Sequence, residues 1–159
     1  MNNIAEGLDI HYRNVITGIL NTDGKHLGED IQHLLDEIAE YQTIVDDYMY
    51  VIESDFRQTE SMALSMVVPI AEDKPIKLPQ GYRFQSYYQL LDLVGSRVVD
   101  ADTVQLQNQI VTLLEYLAEQ DHDPATPLIM RLHQLNDHRY TEVYVGIAVR
   151  RIGANEGEE

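Results

Sequence analysis

The chain has 159 residues, with 27 acidic against 11 basic side chains and no cysteine. This length fits one domain, and a net charge of −16 disfavours direct binding to nucleic acid or to an anionic membrane, since both need a basic patch. The lack of cysteine excludes disulfides and thiolate chemistry. Together with an N-terminus that has no signal-peptide pattern, it favours a cytoplasmic protein.

The first predicted element is a helix over Asn3–Leu20. Apolar residues recur at spacings of three and four, which is the pattern of one helix face, and Asn2 or Asn3 could cap the first turn. This face consists of Ile4, Leu8, Tyr12, Val15, Ile16, Ile19 and Leu20. The Asn-Thr-Asp-Gly sequence at 21–24 then predicts a turn.

The second predicted element is a long helix over residues 29–57. Its apolar stripe keeps a heptad spacing without a slip, which is typical of a helix with one side packed against partner helices. The stripe consists of Ile31, Leu34, Ile38, Tyr41, Val45, Tyr48 and Ile52. We expect this helix to be central to the fold.

The outer side of the long helix is acidic and predicts a partner-binding surface. Such a surface normally mixes Lys with Glu for i,i+4 pairs, and this one has almost no basic residues, so its carboxylates repel one another. A basic protein partner would supply the missing cations; a solvated face without a partner is the alternative. The proposed partner-binding residues are Asp36, Glu37, Glu40, Asp46, Asp47, Glu53 and Asp55.

The middle of the chain is ambiguous. Residues 62–68 either extend the helix or form a short strand, because Met62, Leu64, Met66 and Val68 alternate with smaller or polar residues. Prolines at 69, 75 and 79 exclude a regular helix across 69–81, so we predict a Pro-rich loop there.

The second half predicts three more helices. The first covers Tyr82–Val98; the next carries Leu106, Ile110, Leu113 and Leu117 and is capped by Asp100 or Asp102. Thr126-Pro127 marks the start of the third, which carries Leu128, Leu132 and Leu135 and ends at 136–137.

The last element, around residues 140–149, fits two structures. Tyr140, Val143, Tyr144, Ile147 and Ala148 make a helical face, which we favour. Residues 143–149 also have strand composition and could pair with 62–68 in a small two-stranded element. Residues 154–159 predict a flexible acidic tail.

An enzymatic alternative rests on Arg131, His138 and Tyr140. Their spacing resembles the R-x4–6-H-x-Y signature of HEPN-type ribonucleases, which are small helical proteins with this motif near the C-terminus. The resemblance implies an acid/base role for His138 and phosphate binding by Arg131.

Metal and cofactor chemistry has little support in the sequence. Asp36, Glu37 and Glu40 form a D-E-x-x-E run like that of all-helical nucleotide pyrophosphohydrolases, which implies Mg²⁺, but the second acidic run of that family is missing. The histidines show no zinc-ligand spacing, and no serine-hydrolase or phosphate-binding motif occurs. We therefore predict no catalytic residue, no metal and no cofactor.

The sequence thus predicts a mainly α protein: one domain over 1–153, with five or six helices bundled around the long acidic helix. The favoured function is a non-enzymatic acidic binding protein, an inhibitor or chaperone that docks on a basic or nucleic-acid-binding partner, as a phage- or plasmid-type antagonist would. The alternatives are the HEPN-like ribonuclease and a structural subunit that self-associates through the long helix.

Overall fold

The structure, a computed structural model, describes residues 4–53, 61–100, 102–122, 124, 126–135 and 138–147. Within these ranges the chain forms two helices and six strands. In chain order they are β1 (Ile4–Thr22), α1 (Leu27–Ala39), β2 (Met49–Ile52), β3 (Met62–Pro69), β4 (Arg83–Val99), α2 (Thr103–Glu119), β5 (Ile129–Leu135) and β6 (His138–Gly146). The strands are antiparallel and close into a barrel in the order β1-β3-β2-β5-β6-β4.

The predicted helical bundle is therefore wrong. Five expected helices are strands in whole or in part. The first is β1, the long acidic one over 29–57 contains β2, the one over Tyr82–Val98 is β4, the one after Thr126-Pro127 contains β5, and the last element is β6. The strand interpretation of 62–68 is confirmed as β3. It pairs with β1 and β2, however, and not with β6.

Backbone irregularities in β1 explain why its sequence looks helical. Gly7 (φ 67°) and Asn14 (φ 61°) adopt left-handed backbone conformations within β1, and the pairing with β4 shifts register between Ala5 and Ile10. Each irregularity shifts the inside–outside alternation, so Ile10 and Tyr12 are buried and then Val15 and Ile16 are buried. A period of two broken in this way reproduces spacings of three and four.

The long acidic helix stops at Ala39. Ile31, Leu34 and Ile38 are buried as predicted, whereas Tyr41 and Val45 are 39% and 55% exposed. The Gln42 side chain, which is buried, donates to the Ile38 carbonyl at 3.0 Å and accepts the backbone N–H groups of Ile76 and Lys77 at 2.8 Å. The Gln42 side chain thus connects the end of α1 to the Pro-rich loop. That loop was predicted correctly.

The helix α2 was predicted correctly, including its start. Asp102 accepts the N–H of Gln105, and the Gln105 side chain accepts the N–H of Asp102, so the two residues form a capping box. Ile110, Leu113 and Leu117 face the barrel.

The two faces of the barrel sheet carry separate apolar clusters. The first cluster joins both helices to alternate strand residues such as Tyr50, Met66, Met130 and Val143. The second cluster contains strand residues alone: Ile10, Tyr12, Val15, Met49, Val51, Val67, Leu93, Ile129 and Tyr144. Because the sheet is closed and the helices cover its outside, the second cluster lines the interior.

The order strand–helix–strand–strand occurs twice, as β1-α1-β2-β3 and β4-α2-β5-β6. Tyr50 pairs with Met130 where the halves meet, so an approximate two-fold axis passes between these residues. The sequence gives no repeat that would reveal this symmetry. Among the described helices, none combines the length and the apolar character needed to cross a lipid bilayer.

Candidate functional site

Two rows of paired residues run across the interior face of the barrel. Residues that pair directly on antiparallel strands point to the same side of a sheet, so each row is a set of adjacent side chains. The charged row consists of Arg97, Glu142, Arg131, Met49, Val67 and Thr17. The neutral row consists of Gly95, Tyr144, Ile129, Val51, Ser65 and Ile19.

The approximate two-fold axis relates the residues of one row to those of the other. It relates Val51 to Arg131, their strand partners Ser65 to Glu142, and, one strand further, Ile19 to Arg97. Equivalent positions therefore carry an uncharged side chain on one side of the barrel and a charged one on the other.

A cleft of about 730 Å³ lies on the neutral side. Its lining includes Thr17, Ile19, Val51, Glu53, Ser65, Val67, Arg83, Gln85, Tyr88, Leu90 and Ile129. We call it the first cleft. The Ser65 hydroxyl donates to the Glu53 carboxylate at 2.6 Å, and Ile19 is 51% exposed. Burial, with the nearby Glu53 charge, raises the pKa of Tyr88, so its hydroxyl stays protonated.

A second cleft, of about 510 Å³, lies on the charged side. Its lining consists of Ala5, Leu8, Asp9, Gly95, Ser96, Arg97, Val99, Arg131, Glu142 and Tyr144. Tyr144 packs against Gly95, where a Cβ atom would lie 2.5 Å from the Tyr144 ring. The absence of a side chain at Gly95 therefore allows the Tyr144 ring to lie in the wall of the cleft.

Glu142 is the centre of the second cleft. Its side chain is 7% exposed, and its carboxylate accepts Arg131 Nε at 2.9 Å, the Tyr144 hydroxyl at 2.7 Å, and Arg97 Nη2 and Nε at 2.5 and 3.1 Å. Burial by itself would raise the pKa of Glu142, but the hydrogen bonds from Tyr144, Arg97 and Arg131 outweigh it, and the pKa is lowered. Glu142 is therefore ionised and paired.

Arg131 connects opposite walls of the barrel. Nη1 donates to the Tyr12 hydroxyl at 3.3 Å, and Nη2 donates to the Tyr144 hydroxyl at 3.2 Å. Tyr12 in turn donates to the Asp47 carbonyl at 3.0 Å. Burial opposes the charge of Arg131, yet these bonds and the one to Glu142 keep its pKa raised. Each hydroxyl both donates and accepts a hydrogen bond, which makes the network internally consistent.

The predicted partner-binding residues do not share one helix face. Asp36 and Glu37 are exposed on α1, and Glu40 caps its C-terminal end. Asp46 and Asp47 lie in the following loop, Glu53 follows β2, and Asp55 lies outside the described residues. Of this set, Glu53 lines the first cleft, and Glu37 lines a separate shallow pocket between α1 and the Pro-rich loop.

The HEPN-like alternative loses its basis, because Arg131 and His138 lie on the β5–β6 hairpin and not on helices. Arg131 pairs with Glu142, whereas His138 Nδ1 contacts Asp100 at 2.8 Å. In the described part of the chain, no group of three or more potential ligands could hold a metal ion.

Sequence analysis missed Glu142 and considered Arg131 for another role. The signal was present: Glu142 is the one charged residue in the apolar run Thr141–Ile147, and Arg131 interrupts the run Leu128–Leu132. Charged residues within strongly apolar strands are rarely buried without a partner.

Comparison with known proteins identifies the fold. No protein-family model and no curated protein matches the sequence. The EcmrR C-terminal domain is similar in structure, with a TM-score of 0.61, 9% identity and coverage of 91% of this chain and 98% of that one. EcmrR in its complex with DNA gives 0.68 at 10% identity, over 93% of this chain and 59% of that longer chain.

Two further proteins share the fold more loosely. A hydrolase from Listeria innocua has a TM-score of 0.54 at 9% identity, over 90% of this chain and 92% of that one. A protein from Staphylococcus aureus, described as a bacterial transcription regulation protein, has 0.52 at 10% identity, over 91% and 99%. At 9–10% identity, these similarities show the fold alone.

Proposed function

We propose that this protein is a small-molecule-binding domain with a regulatory role in the cytoplasm, and that its ligand occupies the first cleft. The observation that carries this proposal is the apolar lining of that cleft, which opens on the barrel interior and includes the half-exposed Ile19 at its mouth. An apolar ligand that covers this exposed branched side chain removes apolar surface from water, and this favours binding.

The size and chemistry of the first cleft support this role. Sites for small organic molecules usually measure roughly 300–1,000 Å³ and combine apolar walls with a few polar groups. Here Val51, Leu90 and Ile129 supply apolar wall, while the hydrogen-bonded Glu53 and Ser65 supply polar atoms. We expect a ligand that is mainly apolar with one or two hydrogen-bonding groups.

The regulatory part of the proposal rests on analogy of fold with the EcmrR domain and the S. aureus protein. The earlier expectation, that exposed acids such as Asp36 and Glu40 dock a basic protein, stays a prediction. Pull-down of a basic partner in low salt, and its loss after Asp36→Lys and Glu40→Lys, would support it.

Titration with phenylnaphthylamine, a neutral dye that fluoresces in apolar surroundings, tests the proposal. We expect saturable binding by the wild type. Ile19→Arg places a charge at the mouth of the first cleft and should weaken dye binding at least about fivefold, because an apolar contact is replaced by a hydrated cation.

Val99→Arg is the matched control. Val99 is a β-branched residue of similar exposure, 49% against 51%, but it lines the second cleft. Its replacement should leave dye affinity within about twofold of wild type. No saturable binding, or equal loss in both variants, would contradict the assignment to the first cleft.

A further inference from the structure

We propose that the second cleft is a separate binding site for organic carboxylates, with Arg97 and Arg131 as the anion-binding groups and Glu142 as the residue that positions them. The proposal goes beyond ligand binding in the first cleft, because it concerns another cleft and an anionic ligand in place of a mainly apolar one. It rests on the contrast between equivalent positions of the two halves of the barrel.

The symmetry comparison carries the argument. Where the first cleft has Ile19, Ser65 and Val51, the second has Arg97, Glu142 and Arg131. Apolar and small residues satisfy the packing at these positions in one half, so the fold does not need charges there. The charged triplet is a property of the second cleft, and it introduces two guanidinium groups into a chain with only 11 basic residues.

Glu142 is unsuited to bind a ligand itself. Both of its oxygens already accept hydrogen bonds, Oε2 from Arg97 and Oε1 from Arg131 and Tyr144. A single buried carboxylate that holds two guanidinium groups leaves this triplet with one positive charge in excess. It also fixes both side chains, which lowers the entropy lost when they bind an anion.

Arg97 is the accessible member of the pair. Its side chain is 56% exposed, and the bonds to Glu142 use Nε and Nη2, so Nη1 takes no part in them. The guanidinium lies 5.3 Å from the centre of the Tyr140 ring. A planar guanidinium held in this way can bind a carboxylate with directed hydrogen bonds.

The remaining lining defines the rest of the ligand. Leu8, Val99 and the Tyr144 ring provide apolar surface beside the arginines, which suits an organic carboxylate better than an inorganic anion. Asp9 is the opposing charge: it lies exposed in the lining, with Oδ1 accepting the N–H of Asp92 at 3.2 Å. Water screens the charge of Asp9. Removal of this carboxylate should strengthen the binding of an organic anion.

A matched series of naphthalene probes tests the proposal by calorimetry at about 0.15 M salt, where long-range repulsion from the net negative charge is largely screened. The probes are naphthoate, naphthylmethanol and naphthylmethylammonium, which differ mainly in charge. We expect naphthoate to bind at least about tenfold more tightly than the other two.

Substitutions then locate the site. Arg97→Ile copies the equivalent residue Ile19 and should weaken naphthoate binding at least about tenfold without affecting binding of the neutral dye. Arg97→Lys should retain part of the affinity, and Asp9→Asn should increase it. Arg83→Ile, which removes an exposed arginine from the first cleft, is the control and should have no effect on naphthoate.

Two results would overturn the proposal: naphthoate binding no tighter than the alcohol, or naphthoate binding that depends on Arg83 and not on Arg97. Neither result decides the proposed function, because binding of the neutral dye and its dependence on Ile19 test that function independently. Loss of dye binding with retention of Arg97-dependent naphthoate binding would refute the proposed function and leave this inference intact.

Discussion

Tyr12 and Arg131 are 119 positions apart in the chain, and their side chains meet inside the barrel, where Arg131 Nη1 donates to the Tyr12 hydroxyl at 3.3 Å. Tyr12 lies on β1 and Arg131 on β5, which are separated by two strands in either direction around the sheet. The bond therefore spans the interior. It ties the wall formed by β1 to the Glu142 network, so that stability and cleft geometry depend on the same residues.

The first prediction concerns the coupling of Arg131 and Glu142. Arg131→Met leaves a buried carboxylate with fewer donors and should lower the free energy of unfolding by about 2–4 kcal/mol. The double variant Arg131→Met/Glu142→Leu removes both charges and should be less destabilised than the sum of the single variants, by at least about 1 kcal/mol. Urea denaturation of the four proteins measures the difference, and additive effects would show that the two side chains do not interact.

The second prediction concerns how Glu142 affects the free energy of unfolding as the pH falls. Because hydrogen bonds lower the pKa of Glu142 in the folded protein, its ionised form stabilises the fold at pH values above the ordinary glutamate pKa. This contribution is lost as the pH falls through the lowered pKa. Glu142→Gln should thus be less stable than wild type near neutral pH, and the gap should narrow on acidification to about pH 3.

Glu115→Gln is the control for this pH dependence, since Glu115 is exposed on α2. Its unfolding free energy should follow that of the wild type at every pH. A gap for Glu142→Gln that stays constant from neutral to acidic pH would contradict the assignment of a lowered pKa.

The third prediction compares two glycines. A Cβ atom at Gly28 would meet nothing within 4 Å, so Gly28→Ala should raise the free energy of unfolding by up to about 1 kcal/mol through better helix propensity. A Cβ atom at Gly95 would lie 2.5 Å from Cδ1 of Tyr144, so Gly95→Ala should lower it by about 1–3 kcal/mol. Thermal unfolding should show opposite signs. Equal shifts would contradict the packing of Tyr144 on Gly95.

The sequence indicated both helices, although the first ends at Ala39 and not near residue 57, and it predicted helices where most of the strands lie. The stripe Ile31, Leu34, Ile38 and the residues of α2 repeat without interruption, as a helix face requires. In β1, the register shifts beside Gly7 and the left-handed backbone at Asn14 disturb the alternation. In β6, consecutive residues are buried on both faces, which removes the alternation altogether. Local periodicity cannot distinguish such strands from helices.

The candidate site was hidden for a different reason. Glu142, Arg131 and Arg97 come from three strands, and their proximity depends on strand pairings that no short-range pattern specifies. What the sequence does contain is a charged residue in each of two apolar runs. That pattern predicts a buried charge in need of a partner and leaves the partner open.

The fourth prediction tests why the acidic helix ends where it does. Gln42 is 3% exposed and holds the N–H groups of Ile76 and Lys77 through its side-chain oxygen, an arrangement that a helix continuing past residue 39 would destroy. Gln42→Leu removes this acceptor and should lower the free energy of unfolding by about 1–2 kcal/mol and speed hydrogen exchange at Ile76 and Lys77. Gln32→Leu, on the exposed side of α1, should change neither quantity appreciably. Unchanged exchange at Ile76 and Lys77 in Gln42→Leu would mean that the loop is held by other contacts.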